Sequence, residues 1–153
     1  MMLSTPKQPI LLVENSPEDY EMAMRGLKKS GLRNPIQHCW DGDEALDYLH
    51  HRGAFAEHSS PVAPGIILLD LNMPGMDGRE VLEELKRDPV LKQIPVVVLT
   101  TSGDERDIQD CYRRGANSYM QKPLDFERFM KAMSRLSNYC FEVVVLPNPG
   151  EDV

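Results

Sequence analysis

Gly65-Ile66-Ile67-Leu68-Leu69-Asp70 is an unbroken apolar run that closes on an acid. A strand wet on one face alternates apolar and polar residues, whereas a strand covered on both faces of a parallel sheet reads as a continuous apolar run. Pro95-Val96-Val97-Val98-Leu99-Thr100 has the same character and closes on a hydroxyl. Working outward from these two, residues 10–13, 36–40 and, more weakly, 118–120 complete a set of strand candidates at residues 10–13, 36–40, 66–69, 96–99 and 118–120.

Helical spacing fills the intervals. The first helix takes Ser16 as N-cap and Pro17 as its first residue, carries Tyr20, Ala23, Met24 and Leu27 on one face, and stops at Gly31. Similar stripes run through Ala45, Leu46 and Leu49, through Val81, Leu82 and Leu85, and through Ile108, Cys111 and Tyr112 before Gly115. Phe126, Phe129, Met130, Met133 and Leu136 form the clearest stripe and are expected in the core. Strands alternating with helices and joined by right-handed crossovers predict a doubly wound α/β fold. The expected form is a flavodoxin-like (βα)5 unit whose five parallel strands take the order 2-1-3-4-5.

Open sheets of this kind bind ligands beyond the carboxyl ends of their strands, where the strand order reverses. Those ends carry Glu14 and Asn15, Asp70, Thr100 and Thr101, and Lys122. Singly, each has an ordinary explanation: an Asp closing a strand is often a cap or turn former, and a Lys before a Pro is usually solvated. Together they make a carboxylate-centred phosphate site. A carboxylate can attack a phosphoryl donor, and a hard divalent cation such as Mg²⁺, held by oxygens, would offset the crowded negative charge. Lys122 would add a point charge for the phosphoryl group, and Thr100 a hydrogen bond.

Asp70-Leu71-Asn72-Met73-Pro74-Gly75-Met76-Asp77-Gly78, with Leu12-Val13-Glu14-Asn15 upstream and Thr100-Thr101-Ser102 and Lys122-Pro123 downstream, resembles a response-regulator receiver domain of two-component signalling over residues 10–136. The resemblance implies that Asp70 is the phosphoacceptor and that Glu14, Asn15, Asp70 and Asn72 surround a Mg²⁺ ion, Asn72 through its backbone carbonyl. It also implies Thr100 as switch hydroxyl, Lys122 as phosphate-contacting lysine, Tyr119 as aromatic switch, and Pro123 where the family often has a cis peptide. One position departs from the pattern. Asn15 stands where the family usually has an aspartate, and an amide oxygen brings no charge to a cation. Weaker metal binding is therefore expected, and the alternative is a pseudo-receiver that binds partners without being phosphorylated.

Composition narrows the remaining classes. The 153 residues carry a formal net charge of -7, which disfavours nucleic acid, whose binding needs a basic footprint. No apolar run is long enough for a membrane span, and Met1-Met2-Leu3-Ser4-Thr5-Pro6 has no secretory pattern, so a cytoplasmic location is expected. Cys39, Cys111 and Cys140 suit reduced thiols, and His38, His50, His51 and His58 show no metal-ligand spacing. The expected organisation is a receiver domain over residues 8–138 and a C-terminal extension over 139–153, with no output domain. The phosphoryl donor would be a sensor histidine kinase, and the output contact with a downstream protein. Tyr48-Leu49-His50-His51-Arg52-Gly53 with its following loop, and the tail Val143-Val144-Val145-Leu146-Pro147, resemble the subgroup that partners bacterial phytochrome kinases. The tail either docks on its own domain or makes a dimer seam; the face of the fourth helix, fifth strand and fifth helix is the other dimer candidate. Two rivals fail locally: a dehalogenase-type phosphohydrolase needs a second Asp where Asn72 stands, and an FMN carrier needs a Ser/Thr/Gly run after the first strand.

Overall fold

Every residue of three strands is buried: β1 (Ile10–Val13), β3 (Ile66–Asp70) and β4 (Val96–Thr100). The computed structural model describes residues 8–57, 63–73 and 75–139. Those strands form the centre of a parallel sheet completed by β2 (Ile36–Cys39) and β5 (Ser118–Gln121), in the order β2-β1-β3-β4-β5. Register is continuous across it, with Ile10 beside Ile36 and Ile66, and Asp70 beside Leu99. The helices are α1 (Pro17–Lys29), α2 (Gly42–His50), α3 (Gly78–Arg87), α4 (Glu105–Arg113) and α5 (Phe126–Asn138). The expected (βα)5 fold and strand order are thus the observed ones.

Strand side chains alternate between two cores, because successive residues of a strand point to opposite faces. Leu11, Val13, Ile67, Leu69, Val96 and Val98 pack with Ala45, Leu46, Val81, Leu82 and Leu85 from α2 and α3. On the other face, Ile10, Leu12, Ile66, Leu68, Val97 and Leu99 pack with Ala23 and Leu27 of α1 and Phe129 and Met133 of α5. Each α-helix opens on a side-chain cap, from Ser16, Asp41, Asp77, Asp104 and Asp125 in turn.

Two helix stripes are narrower than their spacing suggested. Phe126 is 57% exposed and Tyr112 is 48% exposed. Phe126 is the first residue of α5, and β5, the edge strand beside it, has no fully buried residue. At that edge the sheet offers only the partly buried Tyr119 and Met120 to the flanking cores. His58, Pro74, Cys140 and the tail 140–153 lie outside the described residues.

Gly26 marks where α1 meets α5. A Cβ there would fall 2.6 Å from the Met130 carbonyl oxygen and 2.6 Å from the Met133 Cβ. Alanine favours a helix over glycine by about 1 kcal/mol, but overpacking typically costs about 1–3 kcal/mol. Gly26→Ala is therefore expected to lower stability in urea denaturation, and a variant as stable as the parent would refute this contact as the limit on packing.

Cys39 and Cys111 are both fully buried. Burial, reinforced by Glu44 and Asp41, pushes the Cys39 thiol up to about 12, and burial also raises Cys111. At pH 8 the Cys39 thiolate fraction is then on the order of 10⁻⁴. In a Cys140→Ser background, Ellman's reagent should leave both thiols unreacted in the native protein and titrate both once it is unfolded; rapid native labelling would contradict this.

Candidate functional site

The carboxyl ends of β1, β3 and β5 deliver one charged side chain each. Glu14 continues β1, its N–H donating to the Cys39 carbonyl at 3.0 Å. Asp70 is the last residue of β3. Lys122 follows β5, its N–H donating to the Thr100 carbonyl at 2.6 Å. Their exposures are only 3% for Glu14, 6% for Asp70 and 5% for Lys122, so they interact in a poorly screened setting.

The Lys122 Nζ lies 2.5 Å from Glu14 Oε1, 3.0 Å from Asp19 Oδ2 and 3.5 Å from Asp70 Oδ2. Burial alone would drive the Lys122 ammonium toward deprotonation, but Glu14 and Asp70 beside it outweigh this and raise its pKa. Burial, and then a hydrogen bond shared with Asp70, raise the Glu14 carboxyl above its ordinary range against the pull of Lys122. Apart from that carboxyl contact with Asp70, Glu14 Oε2 is buried with no hydrogen-bond donor.

A cleft of about 210 Å³ opens over this cluster, lined by Asn15, Ser16, Asp19, Asp70, Asn72, Thr101 and Lys122. Asn15 donates from Nδ2 to the Trp40 carbonyl at 3.1 Å, which leaves its amide oxygen as the atom available to a cation. The backbone N–H of Asn72 donates to Asp70 Oδ1 at 3.3 Å, while its side chain donates to Thr100 Oγ1 at 3.1 Å. Thr100 is wholly buried and also accepts from the Ser102 N–H at 3.3 Å, so Thr101 forms that part of the cleft wall. Tyr119 reaches back from β5 and donates to the Ser102 carbonyl at 2.8 Å.

Among the described residues, no three acidic, histidine or cysteine side chains are spaced to hold a metal by themselves. Lys122 fills the point on which the carboxylates converge. The donors nonetheless suit a hard cation: a carboxylate oxygen of Asp70, the side-chain oxygen of Asn15 and the backbone carbonyl of Asn72 at the cleft, with the Glu14 carboxylate buried beside Asp70. A cation entering the cleft would share those carboxylates with Lys122.

Several site residues were not singled out by strand-end reasoning. Asp19 lies on α1 and reaches the cluster sideways. Asp77 caps α3, accepting from the N–H groups of Arg79 and Glu80. Gly78 lets α3 approach the end of β3: a Cβ there would sit 2.5 Å from the Asp70 carbonyl oxygen and 2.7 Å from the Leu71 Cα. A Ser/Asp N-cap pattern could have flagged Asp77; nothing in the local pattern aims Asp19 at Lys122. The cis peptide expected before Pro123 is not found, since the described residues contain none. The Lys122–Pro123 bond is trans, the lower-energy isomer by about 0.5–1 kcal/mol.

The chain belongs to the response regulator receiver domain family, whose model matches residues 10–134. It is 40% identical to the response regulator Rcp1 of Synechocystis over 94% of this chain and 96% of that protein. The Mn²⁺-bound structure of Rcp1 superposes with a TM-score of 0.84 at 38% identity, covering 92% of this chain and 99% of that one. The phosphorylated cyanobacterial phytochrome response regulator RcpA superposes with a TM-score of 0.86 at 37% identity, over 93% and 99% of the two chains. No helix among the described residues is long and apolar enough to cross a membrane.

Replacing Lys122 by Met would leave Glu14 and Asp70 buried without their counter-charge, a loss of about 3–5 kcal/mol for a broken buried pair. The Glu14 pKa, already raised by burial, would lose the one charge holding it down. A carboxyl raised in the folded state destabilises the fold as pH climbs above its unfolded value. Because the folded Glu14 carboxyl already titrates at about 9 with Lys122 in place, the stability deficit of Lys122→Met should stay level below about pH 8. It should grow as pH climbs through about 9 in urea titrations; a deficit that does not grow there would reject the ion cluster.

Proposed function

We propose that this receiver accepts a phosphoryl group on Asp70 from a phosphohistidine of a sensor kinase. The observation that carries this reading is a carboxylate at a strand end, 6% exposed, in an open cleft and 3.5 Å from a buried lysine ammonium. An Asp70 oxygen attacks phosphorus, the P–N bond breaks, and the histidine imidazole leaves with the bonding pair and takes up a proton. Lys122 turns from its carboxylate partners to the new phosphoryl oxygens, and the Thr100 hydroxyl exchanges its contacts for one of them. Glu14, Asp70, Asn15 and the Asn72 carbonyl would hold a Mg²⁺ ion, which would supply positive charge to the transferring group. Tyr119, bonded to the Ser102 carbonyl in the loop after Thr100, carries the change to the α4, β5 and α5 face.

The kinase is of the phytochrome type in this reading, supported by the likeness to the cyanobacterial phytochrome response regulator RcpA. The signal passes on through protein contact, without nucleic acid or membrane, in the cytoplasm. The α4, β5 and α5 face or the C-terminal tail is the candidate homodimer surface.

Incubation with acetyl phosphate and Mg²⁺, followed by intact mass measurement, should show a gain of one phosphoryl group that is absent in Asp70→Asn. The neutral Asn15 favours one competing reading, a pseudo-receiver that only binds partners. A wild-type chain that gains no mass would favour that reading instead.

A further inference from the structure

Ser102 is tethered at each of its polar atoms. Its N–H donates to Thr100 Oγ1 at 3.3 Å, and its carbonyl accepts from the Tyr119 hydroxyl at 2.8 Å. Its own hydroxyl donates to Asp107 Oδ2 at 2.8 Å and accepts from the Asp104 N–H at 3.2 Å. Asp104 caps α4 and Asp107 is the third residue of that helix. An acid at this place ordinarily folds back to accept from the backbone N–H of the cap residue. Here the Ser102 hydroxyl stands between the two, so the start of α4 is closed around a residue of the preceding loop.

The other oxygen of Asp107 points the opposite way. Oδ1 accepts from Arg79 Nη2 at 2.8 Å, and Arg79 Nε lies 3.5 Å from Asp110 of α4. The Ser102 hydroxyl and then Arg79 hold the Asp107 carboxyl below the usual carboxylate range. Arg79 is the second residue of α3, whose first residue rests against the Asp70 carbonyl. Asp107 therefore ties the β4–α4 loop to the helix that follows the candidate phosphoacceptor, yet it does not line the cleft.

The switch proposed above asks Thr100 and Tyr119 to leave Ser102. Turning the Thr100 hydroxyl toward a phosphoryl group withdraws the oxygen that accepts from the Ser102 N–H, and movement of Tyr119 frees the Ser102 carbonyl. The bonds to α4 then resist displacement of the loop. A contact made in only one of two states biases the equilibrium toward that state.

We infer that Asp107 is a positioning residue that opposes phosphorylation: by fastening Ser102 to α4 and α3, it keeps the Thr100 hydroxyl turned away from the cleft. The inference rests on the phosphotransfer to Asp70 proposed above. Without the Asp107 contact, the loop releases Thr100 more readily, and the hydroxyl is presented to the incoming group more often.

The test is the initial rate at which the full chain gains a phosphoryl group from acetyl phosphate at saturating Mg²⁺, read by intact mass. Asp107→Ala is expected to react about fivefold faster, the low end of coupling between linked sites, because partly exposed ion pairs are weak. A damaged fold would slow the reaction instead. Ser102→Ala, which removes the hydroxyl alone, should give a similar gain, and Asp107→Ala should add nothing in that background. Glu105→Gln, which removes an exposed negative charge from the same turn of α4, should react at the wild-type rate. An equal gain in Glu105→Gln would assign the effect to repulsion of the anionic donor and overturn the inference. So would an Asp107→Ala rate at or below wild type, or a gain that persists in full on top of Ser102→Ala. Should Asp107→Ala unfold by circular dichroism, Ser102→Ala decides alone, and an unchanged rate overturns the inference. A wild-type chain that gains no mass overturns the phosphotransfer reading and the inference together, whereas an active chain indifferent to Asp107→Ala overturns the inference only.

Discussion

The buried ion cluster of Lys122 with Glu14 and Asp70 is the constraint on which the working end of the molecule depends. These groups come from β1, β3 and the residue after β5, so they meet only if the sheet is assembled in its full order. Removing charges from water is costly, and the cost is offset only where opposite charges are held close. A lone lysine or a lone pair of carboxylates would not be tolerated at these depths. Their mutual contact keeps the Asp70 carboxylate and a cationic side chain within reach of one cleft.

From that cluster a chain of hydrogen bonds runs outward. Asp70 accepts from the Asn72 backbone, the Asn72 side chain donates to the Thr100 hydroxyl, and Ser102 donates to that same hydroxyl oxygen. The chain then divides. Tyr119 holds the Ser102 carbonyl, and the Ser102 hydroxyl donates to Asp107 of α4 at 2.8 Å. Asp107 in turn pairs with Arg79 of α3 at 2.8 Å. Asp70 is thereby connected to the groups that fix the β4–α4 loop, and through them to α3, α4 and β5. This is physical continuity between the cleft and an outer face, the kind of connection a two-state switch requires.

Backbone packing sets the precision of the same region. Gly78 allows the first turn of α3 to rest against the Asp70 carbonyl, and Asp77 caps that turn. The residues following Asp70 are thus as much a packing and capping device as a chemical signature. Gly26 does the corresponding work on the opposite layer, where α1 lies against α5. Since α1 carries Asp19, the contact that seats α1 also positions an acid over the cleft.

The parallel sheet was legible because burial on both faces leaves a direct trace in composition. The apolar runs ending at Asp70 and Thr100 could serve no exposed strand, and their polar ends marked the edge where the charged groups meet. Helix ends were readable at Ser16 and Gly31 for the same local reason, that caps and left-handed residues depend on near neighbours. Other features depend on how separate elements are brought together. Phe126 fits a helical stripe, yet the sheet ends beside it and leaves it wet. Asp19 reads as an ordinary first-turn acid, and becomes part of the cluster only because α1 packs where Lys122 can reach it, 103 residues further along the chain. By itself the sequence determined the elements, their order and the chemistry at the strand ends, because these follow from local period and residue type. The tertiary structure alone decided which charges share one ammonium, which oxygen is left without a donor, and which apolar residues remain outside, because those depend on distances between distant segments.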